Sequence, residues 1–474
     1  IKNMKKKVTT ELDNGGRFYL NGFKRVISLM IMMSSLFGPT CAIDVPVYGT
    51  ALTFSNSAAS YGESDITSLG GPTALACWQN SDSTNPVSCS VITKQTGGML
   101  VSGAAVSFPG TRARNVAVDD GTAGASSMTV FCRGNLDCAV LSRIGTSLSN
   151  GNDVSLSSAA YWYHGLMMFT NTIGVACYRK MDGSHRHGIC ATFERTGTTL
   201  NKISEITYWD MASRGGEDAD RMQVAKYDAT FAILCQDQNN VPGGPADCMV
   251  LKRTAVNSLE VGTAFRIAST TIRSPYHSEG LNLAVATINN IHAIVCFADT
   301  TNSNRGTCRV LARSGTTLTK VGNDALYSSG VAYTSKVVMF DESNGIVCFA
   351  DGSARRGACK GLLWTGNALV VSETDHVFFT GSIFSEIVVT AFNHSNTGGG
   401  NEGIVCFRDN TNPVSTHPAA GSLTCRSIVM MPVCAFSNQT SGTHAVPSLG
   451  CKLSQMITVN GAMKVIGSSA THPI

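Results

Sequence analysis

The apolar positions of this chain come in short runs broken by polar turns, and one run keeps returning with a cysteine inside it. Its copies are Ala76-Cys77-Trp78, Val175-Ala176-Cys177-Tyr178, Ile233-Leu234-Cys235, Ile294-Val295-Cys296-Phe297, Ile346-Val347-Cys348-Phe349 and Ile404-Val405-Cys406-Phe407. A second cysteine follows each after a polar loop, and a Gly-x-x-Leu phrase usually comes next. Such runs, bounded by Gly, Asn and Asp, predict short strands, and no long helical period competes with them. The clearest unit predicts four strands: Lys336 to Phe340, Ile346 to Ala350, Cys359 to Leu363, and Ala368 to Val371. Turn chemistry at Asp341 to Gly345, Asp351-Gly352 and Thr365 to Asn367 separates them.

The cysteines fall as neighbours: Cys77 with Cys89, Cys132 with Cys138, Cys177 with Cys190, and Cys235 with Cys248. Cys296 with Cys308, Cys348 with Cys359, Cys406 with Cys425, and Cys434 with Cys451 complete the series. A unit of about 55 residues with four short strands is the size of a propeller blade. The expected fold is therefore all-β, a β-propeller of seven four-stranded blades, with eight or six as alternatives. Adjacent antiparallel strands bring facing cysteines within bridging range, so each disulfide is expected to staple the middle hairpin of a blade. Gly-x-x-Leu recurs at Gly49, Gly97, Gly145, Gly197, Gly315 and Gly366. The first copy precedes every cysteine pair, so it is expected to supply an outer strand that closes the ring and covers its edge. Cys406 and Cys434 stand too close for another blade, so the C-terminal stretch from about 406 to 474 reads as irregular. There, either two small hairpins follow each other or Cys406 pairs with Cys451 around a Cys425–Cys434 loop.

With these repeats the chain resembles secreted or surface-exposed, disulfide-stapled β-propeller repeat proteins. The resemblance is architectural and points to no specific family. Trp209-Asp210 does not recur as a WD repeat would, paired glycines do not recur as in kelch repeats, and no integrin-type calcium loop is found.

Composition adds a compartment. The chain has 474 residues, 43% hydrophobic and 14% charged. Lys5, Lys6, Lys7, Lys24 and Arg25 precede an apolar run from Val26 to Phe37, and Thr40-Cys41-Ala42 offers small residues for cleavage. Residues 1–42 therefore read as a secretory signal region and 43–474 as a single propeller domain. The run is short for a membrane span, and no span is expected after cleavage. The formal net charge of +4 resides in that leader, since residues 1–42 hold seven Lys/Arg and two Asp/Glu. A near-neutral remainder gives no support for nucleic-acid binding. Loss of Cys41 leaves an even number of cysteines, as complete pairing in an oxidising compartment requires. Asn393 and Asn438 open glycosylation sequons.

The chemistry screen is sparse. There is no His-Glu-x-x-His phrase, no Gly-x-Ser-x-Gly elbow, no phosphate loop and no sialidase-type Ser-x-Asp-x-Gly. No catalytic, cofactor or metal residue is assigned. Asp299, Asp351 and Asp409 each stand three places after a cysteine. Such repetition reads as turn capping rather than catalysis. His185-Arg186-His187 reads as a solvated loop, and Glu217, Asp218 and Asp220 as an exposed acidic turn. Trp78, Tyr178, Phe297, Phe349 and Phe407 follow first cysteines and are expected in the core between blades. Tyr161, Trp162, Tyr163 and Trp209 are the recognition candidates, with packing between blades as the competing reading. The expected function is non-enzymatic extracellular recognition or assembly, binding a protein or a glycan or its own copies. A carbohydrate-binding lectin is the first alternative and a propeller glycoside hydrolase or lyase the second.

Overall fold

A computed structural model describes residues 41–59, 64–79, 87–108, 113–118, 128–133, 136–157, 160–182, 185–209, 219–238, 245–268, 283–354, 356–381, 387–392, 401–409, 421–434, 452–459 and 462–468. These form two compact units, one from Ile43 to Met431 and one from the described residues on either side of it. The signal region, both sequons and Cys451 lie outside the described residues, except that β1 begins at Cys41.

The larger unit is all-β. After β1 (Cys41–Ala59) the first repeat holds β2 (Ser64–Ser68), β3 (Thr73–Gln79), β4 (Val87–Lys94), β5 (Leu100–Ser102) and β6 (Val106–Phe108). The second holds β7 (Ala113–Val118), β8 (Met128–Arg133), β9 (Asp137–Ile144), β10 (Ser147–Asn150) and β11 (Val154–Ser155). The third holds β12 (Ala160–Met168), β13 (Ile173–Asp182), β14 (His185–Thr196) and β15 (Thr199–Trp209). The fourth holds β16 (Ala219–Lys226), β17 (Phe231–Gln238), β18 (Ala246–Arg253), β19 (Leu259–Val261) and β20 (Phe265–Ala268). Next come β21 (Leu283–Thr287), β22 (His292–Asp299), β23 (Arg305–Ser314), β24 (Thr317–Met339), β25 (Asn344–Asp351), β26 (Arg356–Trp364), β27 (Leu369–Val371) and β28 (His376–Phe379). β29 (Ile387–Ala391), β30 (Glu402–Asp409) and β31 (Gly421–Cys434) follow, then β32 (Lys452–Val459) and β33 (Ala462–Ser468).

Among the described residues seven disulfides join facing cysteines of the second and third strands: 77–89, 132–138, 177–190, 235–248, 296–308, 348–359 and 406–425. Each pair is in direct register, as Cys177↔Cys190 and Cys348↔Cys359 show, with Cα atoms 4.0 Å apart in both. Cys406 therefore bonds Cys425 and not Cys451, while the expected Cys434–Cys451 pair involves Cys451, which lies outside the described residues.

The expectation of seven separate four-stranded sheets needs correction. Five sheets stand as separate blades with one disulfide each, and an eight-stranded sheet carries two. The cause is β24, which serves as outer strand to β23 and runs on, without a break, as inner strand to β25. The strand expected at Lys336–Phe340 is thus the end of a longer one. Outer strands are also split: β5 and β6 both pair β4, β19 and β20 both pair β18, and β27 and β28 both pair β26.

The sheets are arranged in a ring. Inner strands pack in the order β2, β7, β12, β16, β21, the second half of β24, and β29, which returns to β2. β1 pairs β31, so the N-terminal segment supplies the outer strand that the last blade lacks. Thr53 Oγ1 meets Thr424 Oγ1 at 3.2 Å across that pairing. The core lies between neighbouring sheets. Tyr178 packs with Val130 and Cys132 of the preceding blade, Phe297 with Ile233 and Cys235, and Trp78 with Val388 and Cys406. Phe349 and Phe407 do the same, and all five aromatic rings are buried as expected.

At the end of the ring that carries the turns between first and second, and third and fourth, strands, two devices lock neighbouring repeats. Gly145, Gly197 and Gly315 have φ of 62°, 60° and 60°, which a tight turn requires and glycine adopts freely. In the first, second and fourth repeats a glycine just after the outer strand also abuts the next repeat's turn. A Cβ at Gly151 would stand 2.5 Å from the Thr198 carbonyl oxygen of the next repeat, and one at Gly103 or Gly262 would overlap the carbonyl of Thr146 or Thr316.

The second device, in five repeats, is the residue five places after the second cysteine. Lys94 pairs with Glu402, Arg143 Nη1 donates to Thr73 Oγ1 at 3.0 Å, and Arg253 lies 6.0 Å over the Phe169 ring. Arg313 lies 3.7 Å over Phe231 and 3.4 Å from Asp228 Oδ2. Trp364 replaces the cation in its repeat and stacks on His292 at 5.4 Å. Each reaches the preceding repeat.

In the smaller unit β32 and β33 form an antiparallel hairpin from Lys452↔Ser468 to Val459↔Ala462, with Val433 opposite Ile466.

Candidate recognition surface at the channel mouth

The opposite end of the ring carries the turns between second and third strands, and here inner strands leave regular pairing. On β7 the register steps from Ala113↔Arg133 to Val116↔Phe131, and on β16 from Asp220↔Asp237 to Gln223↔Cys235. On β24 it steps from Ala332↔Asp351 to Ser335↔Phe349. Each step inserts one residue. On β12 it runs from Tyr161↔Arg179 to Gly165↔Cys177, which inserts two. Bulges re-aim side chains and gather beside functional sites. The bulged residues differ in chemistry from repeat to repeat: Arg114-Asn115, Trp162-Tyr163-His164, Arg221-Met222 and Tyr333-Thr334.

Facing these bulges, the second strands end in polar groups. Arg133 is buried, with Nη1 3.1 Å from Asp153 Oδ1 and its guanidinium 5.7 Å from the Phe108 ring. Arg179, Asp237 and Arg408 are also buried. Gln236 is fully buried, and its Oε1 accepts from the Tyr208 hydroxyl at 3.1 Å. Asp299 Oδ1 accepts from the Thr301 amide at 2.9 Å. Asp351 Oδ1 accepts from the amides of Ser353 and Ala354 at 3.0 and 3.1 Å, and its Oδ2 lies 3.3 Å from Arg356 Nε. Asp299 and Asp351 thus do the turn capping expected of them. Asp409 ends β30 opposite Ser422, and the turn after it lies outside the described residues.

Behind the β12 bulge the Tyr178 hydroxyl donates to Glu205 Oε2 at 2.9 Å. Burial pushes the Tyr178 phenol well above its ordinary value. Burial also raises the Glu205 carboxyl. Hydrogen bonds from Lys202 and Tyr178, with the charges of Lys202 and Lys180, outweigh that and hold it below its ordinary value.

Tyr161, Trp162, Tyr163 and His164 are placed at the bulge by the backbone, and their side chains lie outside the described ones. Trp209 is a correction. Its indole is fully buried beside Met167, Val175 and Met222 between the third and fourth repeats, so no face is free to stack on a ligand. His185-Arg186-His187 is likewise not a loop, because it opens β14 opposite Asp182, Met181 and Lys180. Glu217 and Asp218 lie outside the described residues, while Asp220 pairs with Asp237. Among the described residues no three His, Cys, Asp or Glu gather as a metal site. No described helix is long and apolar enough to cross a membrane.

Sequence reading passed over the residue five places after the second cysteine, basic in five of seven repeats, and the glycines three places after Leu100, Leu148 and Leu259. Both were visible as periodic positions. The bulges carry no such signal, since an extra residue shows only when partners are in register.

No protein-family model matches the chain, and no curated protein matches it in sequence. Solved structures resemble parts of the chain at low identity. AofleA from Arthrobotrys oligospora shares 8% identity over 67% of this chain and 81% of its own, with a TM-score of 0.38. A candidate 6-phosphogluconolactonase from Bacteroides fragilis shares 11% identity over 66% of this chain and 84% of its own, with a TM-score of 0.44. A prolyl endopeptidase shares 11% identity over 77% of this chain and 47% of its own, with a TM-score of 0.40.

Proposed function

We propose that this protein is a secreted, non-enzymatic propeller that binds an extracellular protein or glycan through the mouth of its ring. We also infer that each disulfide-bonded hairpin is one unit of the ring, so that the eight-stranded sheet counts as two blades. The observation that carries the functional reading is the contrast within the mouth. Among its described carboxylates, Asp153, Asp299 and Asp351 are engaged by an arginine or by turn amides, and Asp237 is buried. An acid or base catalyst needs a group poised to exchange a proton with substrate. The bulged inner strands instead place unlike aromatic, basic and polar residues side by side on a rigid, cross-linked frame. That arrangement suits recognition, where a few aromatic anchors dominate affinity. Seven disulfides favour an oxidising, extracellular setting.

The test is a glycan array and light-scattering chromatography on the secreted protein, alongside the double variant W162A/Y163A. The reading expects a defined glycan or protein partner whose binding falls at least tenfold in the variant while the melting temperature holds. Binding that is unchanged would move recognition away from the mouth. Turnover of a bound glycan would establish the hydrolase or lyase instead.

A further inference from the structure

β16 and the second half of β24 are not neighbours in the ring, because β21 stands between them. Yet Lys336 Nζ donates to Gln223 Oε1 at 3.0 Å. Two side chains from these inner strands meet only by crossing the interior of the ring in front of β21. The contact therefore sets an ammonium group inside the central channel.

Among the described residues no carboxylate neutralises that cation. Lys336 is half-buried, and its partner is a neutral amide. Other lysines of the ring meet carboxylates: Lys94 with Glu402, Lys320 with Asp324 at 3.0 Å, and Lys360 with Asp375 at 3.4 Å. Among the described residues Lys336 has no carboxylate partner. Among inner-strand residues whose side chains are described, Lys226 on β16 and Asp65 on β2 are the other charged groups, and Asp65 Oδ1 accepts from the Ile66 amide at 3.0 Å; Arg114, His164, Asp220 and Arg221 stand on these strands with side chains outside the described ones. Withdrawing a cation from water without a counter-charge is unfavourable, so the site is primed for an anion.

Local polarity agrees. Gln223 Nε2 donates to the Met222 carbonyl at 3.2 Å, which turns Oε1 toward the ammonium. An ammonium has three donors and this contact uses one. Two residues before Lys336, in the bulge of β24, the Thr334 hydroxyl is buried with no hydrogen-bond partner among the described residues. We propose that the central channel binds an oxyanion group, a carboxylate or phosphate carried by a small ligand, on Lys336 Nζ with Thr334 Oγ1 as a second contact. The site adjoins the β24 bulge at the mouth, and anion binding on Lys336 does not depend on whether the mouth recognises a partner.

Calorimetric titration and thermal unfolding of the full-length protein with sodium acetate, and separately with inorganic phosphate, test it. Ionic strength is held constant with sodium chloride. Wild type is expected to give a saturable heat and a rise in melting temperature with at least one anion, and the responding anion fixes the class. K336M is expected to lose both responses while matching or exceeding the anion-free melting temperature of wild type, and K336R to keep them. If K336M does not fold, K336Q takes its place. No response in wild type, or an equal response in wild type and the neutral variant, overturns the proposal.

Discussion

At the turn end of the ring one position does one job in repeat after repeat. The residue five places after the second cysteine reaches back to the preceding repeat as Lys94, Arg143, Arg253, Arg313 or Trp364. At the mouth end the same repeats diverge. Their bulges hold Arg-Asn, Trp-Tyr-His, Arg-Met or Tyr-Thr, and the facing second strands end in Arg133, Arg179, Asp237 or Asp351. A ring needs every neighbour contact to hold, so cohesion is served by repetition. A binding face discriminates by differences between positions, so recognition is served by divergence. Cohesion is thus expected to fail when the turn end is altered, and the mouth to tolerate substitution.

The largest effect is expected at Gly262. A methyl group there would overlap the Thr316 carbonyl of the next repeat, and a backbone oxygen cannot swing away as a flexible side chain can. Overpacking of this kind costs about 2 kcal/mol or more. Gly262→Ala should lower the denaturation midpoint accordingly, whereas W162A/Y163A should leave it within experimental error. Equal losses from both would dissolve the distinction between the ends.

How much of this could be read beforehand follows from which features repeat. The hairpin staples were legible because the cysteine phrase recurs with its apolar flanks, and antiparallel pairing then leaves facing cysteines in bridging range. Closure by the N-terminal strand was legible because Gly49 opens a Gly-x-x-Leu phrase before any cysteine pair. The fusion through β24 was not, since the connection from Leu326 to Ser335 is polar and glycine-containing like any turn, and only pairing on both sides keeps it extended. Trp209 was misplaced for a related reason. It sits beside a bulge on β15, where Gly188↔Trp209 is followed by Ile189↔Thr207, so simple alternation along the strand no longer tells which face it takes.

Arg313 comes next in size. Its guanidinium donates to the Asn290 carbonyl at 2.7 Å, approaches Asp228 at 3.4 Å and stacks on Phe231 at 3.7 Å, with little exposure to water. A partly desolvated cation over a ring, together with a charge-assisted bond, contributes about 1–2 kcal/mol. Arg313→Ala should destabilise the ring by that amount in chemical unfolding. Arg313→Lys should recover only part of it, because an ammonium lacks the planar face that lies on Phe231. Full recovery by lysine would show that charge alone holds this junction.

The smallest effect belongs to the junction where tryptophan stands in place of the cation. His292 stacks on Trp364 at 5.4 Å, and its Nδ1 lies 3.2 Å from Asn289 Oδ1. That oxygen also accepts from the amides of Ile291 and His292, so it is an acceptor and Nδ1 carries the hydrogen. Burial holds the imidazole below its ordinary value, which favours the neutral ring when folded. The unfolded chain therefore takes up the proton first as pH falls. The stabilisation is complete above the ordinary histidine value and is lost as pH drops through the lower folded value. Wild type should lose more stability than His292→Gln between pH 7.5 and 5, with the difference confined to the pH range of histidine titration. A gain in wild type on acidification would mean that the imidazolium is favoured by the Trp364 face, and the junction would then belong with the cation-held ones.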